Sequence, residues 1–210
     1  DESYQIANNL KKYLDSNNNL NKLNTYELFS KEEWMTLPTR CKILYGKTLN
    51  DIYKDMKTWD WLPLIGLISN LGKVLLLEDF GKIPCWTVLS DIFPVGCTIS
   101  SSNTNYDINI YKKNCDYNNE IFNTRYGIYQ QFCGFDKLEM SYSSNEFLVK
   151  QLERYKCKLP KEAIYILRYA SFNAWHSPKD YYHRGYPYFA SEFDWKMLPL
   201  LKLFDKCRNI

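Results

Sequence analysis

The chain's 210 residues, 45% hydrophobic and 17% aromatic, supply enough apolar material for one domain with a proper core and exclude a disordered chain. Its 27 basic and 24 acidic residues give a formal net charge of +3 with no basic run, so composition gives no support to nucleic-acid binding. No membrane span is expected, because the longest apolar stretch, Leu62 to Leu77, is interrupted by Pro63, Ser69, Asn70, Gly72 and Lys73.

Along the chain the periodicity is mainly helical and strand signals are few. Asn24 with Glu27, and Ser30 with Glu33, have the three-residue spacing by which a helix start satisfies its own free amides. Ile52, Tyr53 and Met56 place an apolar stripe on a further helix. Leu62 to Leu71 is apolar nearly all round, which predicts a central buried helix ending near Gly72. Residues 98–125 are polar and irregular and read as a long loop. Ser143 and Glu146 cap a helix running to about Lys156. Leu159-Pro160 opens the next, with Ile164, Leu167, Tyr169 and Phe172 facing inward. Residues 178–193 read as loop, and Met197 to Phe204 forms a last helix that starts or bends at Pro199.

The seven cysteines, Cys41, Cys85, Cys97, Cys115, Cys133, Cys157 and Cys207, contain no C-x-x-C pair, which argues against a zinc ribbon or a thioredoxin-like site. An odd count leaves at least one free thiol or an intermolecular bond. A chain beginning at Asp1 is read as trimmed or as the product of signal-peptide removal. None of its nineteen Asn starts an N-x-Ser/Thr acceptor, which fits either a cytoplasmic protein or a secreted one without glycans. The compartment stays open between the two.

Five blocks in one order carry a resemblance: LGKVL (Leu71 to Leu75), DIFPVGC (Asp91 to Cys97), RYGIYQQFCGFD (Arg125 to Asp136), LPKEAIYILRYASFNAWHSPKDY (Leu159 to Tyr181) and MLPLLKLFDK (Met197 to Lys206). With them the chain resembles the myo-inositol oxygenase family over about residues 40 to 208. The resemblance implies an all-α, HD-domain-like helical bundle. It also implies one inositol-oxygenase-like domain over residues 1–210, lacking the family's first segment and its C-terminal tail.

In that family a di-iron centre is held by four His and two Asp side chains. Carried over residue by residue, these positions fall on Leu44, Ser69, Asn70, Ser144, Ala170 and Arg208. Neutral hydroxyls, an amide, alkyl groups and a guanidinium cannot replace imidazoles and carboxylates at iron, so no metal and no cofactor is expected. The chain has two histidines, His176 and His183; the first matches a family His that is not a ligand, and the second reads as a surface residue. The family's inositol-pocket positions do survive, as Lys73, Asp91 and Ser171. They read either as a polar ligand pocket or, for Lys73 and Asp91, as a buried ion pair filling the vacated cavity.

Three functional readings follow. The first is a catalytically inactive relative that binds an unknown small molecule or protein. The second is a metal-free enzyme using Lys73 and Asp91 as acid and base. The third, an oxygenase with a shifted ligand set, has no cofactor motif behind it. For a protein partner, Tyr181 to Phe189, YYHRGYPYF, offers an aromatic contact patch, with packing on the bundle as the other use of those rings.

Overall fold

Apolar residues four apart put Ile6 and Leu10 on one face of helix α1 (Glu2–Asp15), and both are buried. That face packs on α5 (Trp61–Ile68). The approach is close enough to require glycine at the crossing, since a Cβ on Gly66 would lie 2.9 Å from the Ala7 nitrogen. The computed structural model describes residues 2–15, 22–42, 46–56, 58–103, 106–177 and 186–209. Between α1 and α5 lie the short helices α2 (Lys31–Thr36), α3 (Thr39–Lys42) and α4 (Leu49–Ile52). After α5 come α6 (Cys85–Val88), α7 (Ile108–Tyr111), α8 (Ser144–Arg154), α9 (Lys161–Tyr169), α10 (Asn173–His176) and α11 (Glu192–Arg208). Among the described residues the only β pairings are two isolated bridges, so the fold is all-α, as the resemblance implied.

Helix α11 is the axis of the core. Its residues Met197, Leu198, Leu200, Leu201 and Leu203 are fully buried, and α1, α4, α9 and α10 pack around it. It starts at Glu192, earlier than the stretch at Met197 that its proline predicts. The Ser191 hydroxyl accepts from the Asp194 amide, and the Asp194 carboxylate accepts from the Ser191 amide, so the start is capped reciprocally. Pro199 lies inside the helix and buried, where apolar packing outweighs the one missing amide.

The two caps read at Ser30 and Ser143 are present. Asn24 instead accepts from the Tyr26 amide and opens a 3₁₀ turn, Thr25–Leu28. Glu33 has a second role: beyond closing its cap, it receives the Lys202 ammonium at 2.6 Å, with both side chains nearly buried. The expected helix over Ile52 to Met56 is only α4, which ends before Tyr53.

The central apolar helix is not buried all round. Leu64, Leu67 and Leu71 are about half exposed while Leu62 and Ile65 are fully covered. Among the described residues nothing covers the outer side of this stripe of leucines. After α5 the chain tightens into a 3₁₀ turn, Leu71–Leu76, that packs on α8. Gly72 permits this contact: a Cβ there would stand 2.0 Å from the Ser144 carbonyl oxygen, a backbone atom that cannot swing away. The 98–125 stretch is irregular apart from α7 and a 3₁₀ turn, Cys115–Asn118. No helix among the described residues is long and apolar enough to cross a membrane.

The Gly72 contact gives a direct test. Gly72→Ala should destabilise the protein by more than about 3 kcal/mol, beyond ordinary overpacking. Urea unfolding measures this, and a loss below about 1 kcal/mol would contradict the packing described.

Candidate functional site

Separate parts of the sequence converge on one cavity of about 280 Å³. The turn that ends α5 presents Ser69 and Asn70, and the 3₁₀ turn after it presents Lys73. The segment leaving α6 brings Asp91. The first turn of α8 contributes Ser144 and Asn145. The junction of α9 and α10 adds Ala170, Ser171 and Asn173, and Arg208 reaches in from the last turn of α11. Every position that the sequence singled out lines this one cavity except Leu44, which lies outside the described residues. His183 lies outside them as well.

Most polar groups in the wall are held by the protein itself. Ser69 Oγ donates to the Gly66 carbonyl at 2.9 Å and Ser144 Oγ to the Val88 carbonyl at 2.9 Å. Asn70 Nδ2 donates to Ser3 Oγ at 3.0 Å. Ser171 Oγ donates to Asn145 Oδ1 at 3.0 Å, and Asn145 Nδ2 donates to the Leu167 carbonyl at 2.7 Å. Arg208 sends Nη1 to the Ala170 carbonyl at 3.2 Å and Nη2 to Asp205 Oδ1 at 2.9 Å.

Lys73 and Asp91 share the cavity, but not as the buried pair. Lys73 Nζ pairs with Glu2 Oε2 at 3.1 Å, and its side chain is 37% exposed. Asp91 Oδ1 accepts from Asn173 Nδ2 at 2.6 Å. The reason is reach: Lys73 sits on the rim, beside the first turn of α1, where Glu2 is nearer. Sequence reasoning missed Glu2, Asn145, Asn173 and Asp205. Glu2 lies outside the matching blocks, so no motif pointed to it. Asn145 and Asn173 sit inside or beside them and were legible only as amides next to marked positions.

His176 closes the floor behind the cavity. It is fully buried, with Nε2 donating to the Ala170 carbonyl at 3.2 Å and Nδ1 accepting from Ser177 Oγ at 3.0 Å. Burial pulls its pKa down to about 4; the charge of Asp205 opposes this, while Arg208 and Lys202 reinforce it. The imidazole is therefore neutral at pH 7, with both nitrogens already engaged.

This donor set does not fit a di-iron centre. Among the described residues the cavity wall offers two carboxylates, Glu2 and Asp91, one paired to an ammonium and the other to an amide, and no imidazole. Two cations, Lys73 and Arg208, face the same space. Hard iron sites need several imidazoles and carboxylates converging, and a guanidinium within the set repels the ion. Among the described residues no three His, Cys, Asp or Glu side chains are grouped to hold a metal. All seven cysteines are free thiols. Burial pushes Cys97 and Cys207 up to about 12, which keeps them protonated and poorly nucleophilic.

A family model described as Myo-inositol oxygenase matches residues 45–209. The chain belongs to the myo-inositol oxygenase family. It is 38% identical over 161 residues to an inositol oxygenase of Dictyostelium discoideum, covering 77% of this chain and 52% of that protein. It is 38% identical over 160 residues to inositol oxygenase 1 of Arabidopsis thaliana, covering 76% and 49%. Against the inositol oxygenase of Homo sapiens the identity is 37% over 160 residues, covering 76% and 53%. The chain thus spans about half the length of the curated relatives it matches.

Of the two uses read for Tyr181 to Phe189, packing on the bundle is the one seen where the stretch is described. Tyr186 and Phe189 are fully buried and stack with rings 6.3 Å apart, and Arg125 sits 4.4 Å over the Tyr188 ring. These rings are core, because Tyr186 also anchors the Ser100 amide through its hydroxyl at 2.8 Å. Tyr181 to Gly185 lie outside the described residues.

The His176 environment sets a pH dependence. The native imidazole stays neutral down to about pH 4, whereas the unfolded one takes a proton below about 6.5. The unfolded state therefore binds more protons in that window, so this group's contribution is complete above pH 6.5 and is lost as pH falls toward 4. The loss should approach about 3 kcal/mol, and His176→Gln should remove most of that slope. Unfolding free energies measured between pH 4 and 7.5 check it; equal slopes in both proteins would contradict the assignment.

Proposed function

We propose that this member of the family is not an oxygenase and that its cavity holds a small polar molecule without a metal. One observation carries the reading. Ser69, Asn70, Ser144, Ala170 and Arg208, which stand where the family's ligands would be, line the same space as Lys73, Asp91 and Ser171. The space inherited for chemistry is kept, and among the described residues its lining is hydroxyls, amides and two charges of each sign. A site so balanced in charge and so polar suits a neutral or dipolar ligand rather than an ion. The residues assigned to hold it are Lys73 at the rim, Asp91, and the Ser171–Asn145 pair, within one domain formed by the whole chain.

The alternative of a metal-free enzyme using Lys73 and Asp91 is less favoured. A lysine base needs its ammonium desolvated, and Lys73 is over a third exposed and neutralised by Glu2.

Two outcomes are expected. Protein purified without chelators should carry far less than one iron per chain by elemental analysis, and should form no glucuronate from myo-inositol with Fe(II), cysteine and O₂. Near-stoichiometric iron that survives mild chelation, or glucuronate above a heat-killed control, would overturn the reading.

The second concerns Lys73. Its pair with Glu2 is exposed at both ends, so Lys73→Ala should leave the melting temperature nearly unchanged. Native mass spectrometry of the unmodified protein should show an added small mass, and Lys73→Ala should cut its occupancy at least about tenfold. A bare protein mass in both, or equal occupancy in both, would count against a ligand at this site.

A further inference from the structure

The segment that follows Asp91 walls a second cavity, of about 230 Å³, that has no part in the site above. Its other wall comes from the stretch whose polar letters predicted only a loop. That stretch spaces aromatic residues five or six apart, and four of them, Tyr106, Tyr111, Tyr117 and Phe122, line the cavity together with Phe93. Tyr106 and Tyr111 lie together, ring centroids 5.1 Å apart. One ionisable carboxylate, Asp116, lines the same space, and among the described residues no Lys, Arg or His does. Lys112 and Lys113, on the same stretch, are exposed and take no part in the wall.

We infer that this cavity is a binding site for a small organic cation, a quaternary ammonium or an alkylamine. Aromatic faces carry negative quadrupole potential and attract a cation over the ring, most strongly when water is excluded. A lone carboxylate adds a full charge of the same sign, and no basic side chain in the wall competes for it. Asp91 contributes as well: burial chiefly raises the Tyr111 phenol, and the charges of Tyr106 and Asp91 raise it further. Tyr111 is thus a neutral phenol that feels a negative field. The hydroxyls of Tyr106, Tyr111 and Tyr117 accept no hydrogen bond from any described residue, which leaves them open to an N–H donor. An anion would meet the Asp116 carboxylate, and a neutral ligand of the same shape would keep the apolar contact with the rings but gain nothing from that charge.

The test titrates choline into the full chain, beside its neutral analogue carrying a tert-butyl group in place of trimethylammonium. Choline should bind at least about tenfold more tightly than the analogue. Asp116→Asn and, separately, Tyr117→Leu should each weaken choline by about tenfold or more, while Lys73→Ala leaves it unchanged. Equal affinity for the two probes, or no binding of choline, would overturn the inference on the unmodified protein alone. Unchanged choline affinity in Asp116→Asn would overturn it too. A tenfold or larger gain of choline affinity in Lys73→Ala would do the same, because removing that ammonium relieves repulsion only on a cation held in the other cavity.

Discussion

One carbonyl oxygen, that of Ala170, accepts hydrogen bonds from two directions, the His176 imidazole and the Arg208 guanidinium. It ends α9, it lies behind the cavity, and through Arg208 it is tied to the last turn of α11, the helix on which the core is built. Arg208 in turn is fixed by Asp205 one turn earlier. The arrangement solves a local problem. A helix end leaves carbonyls without intrahelical donors, and a buried one must find a partner. Here the partners are a neutral imidazole and a cation at the C-terminal end of α9, where positive charge is favoured by the helix dipole. The other end of this system is closed in the same way, because Asn9 of α1 donates to the Cys207 carbonyl at 3.0 Å.

The cavity lining is held by the same kind of bond. Four polar side chains of the lining have a bond to the protein's own backbone or to a neighbouring side chain: Ser69 to Gly66, Ser144 to Val88, Asn70 to Ser3, Arg208 to Ala170. Buried polar groups left without partners would cost stability, and these are satisfied. The walls are held in place by close packing around the cavity, chiefly of Gly72 on the Ser144 carbonyl and of α1 on α5.

Much of this was legible in the letters. The ordered blocks gave the family and the all-α fold, and the caps at Ser30 and Ser143 gave two helix starts where local hydrogen bonds decide the matter. The same blocks placed Lys73, Asp91 and Ser171 around one space, since neighbours within a conserved packing frame move together. What failed depended on tertiary context. Pro199 reads as a break, yet it sits inside α11 because Ser191 and Asp194 nucleate the helix upstream. Leu64, Leu67 and Leu71 look like core, but exposure is a property of what stands opposite, and nothing there is encoded locally. Lys73 and Asp91 looked like a pair because no sequence pattern brings Glu2 to the rim. The polar stretch after Cys97 hid its aromatic wall, because its spacing matches neither a helix nor a strand.

The central claim is that the native state is complete without iron. The most direct measurement is the thermal unfolding midpoint of the protein after exhaustive chelation, and again with excess Fe(II) under anaerobic conditions. A metal that binds only the folded state raises stability in proportion to the logarithm of its concentration over its dissociation constant. The account predicts midpoints that agree within about 1 °C. A rise of several degrees on adding Fe(II), reversed by chelation, would show a metal site in the native fold and contradict it.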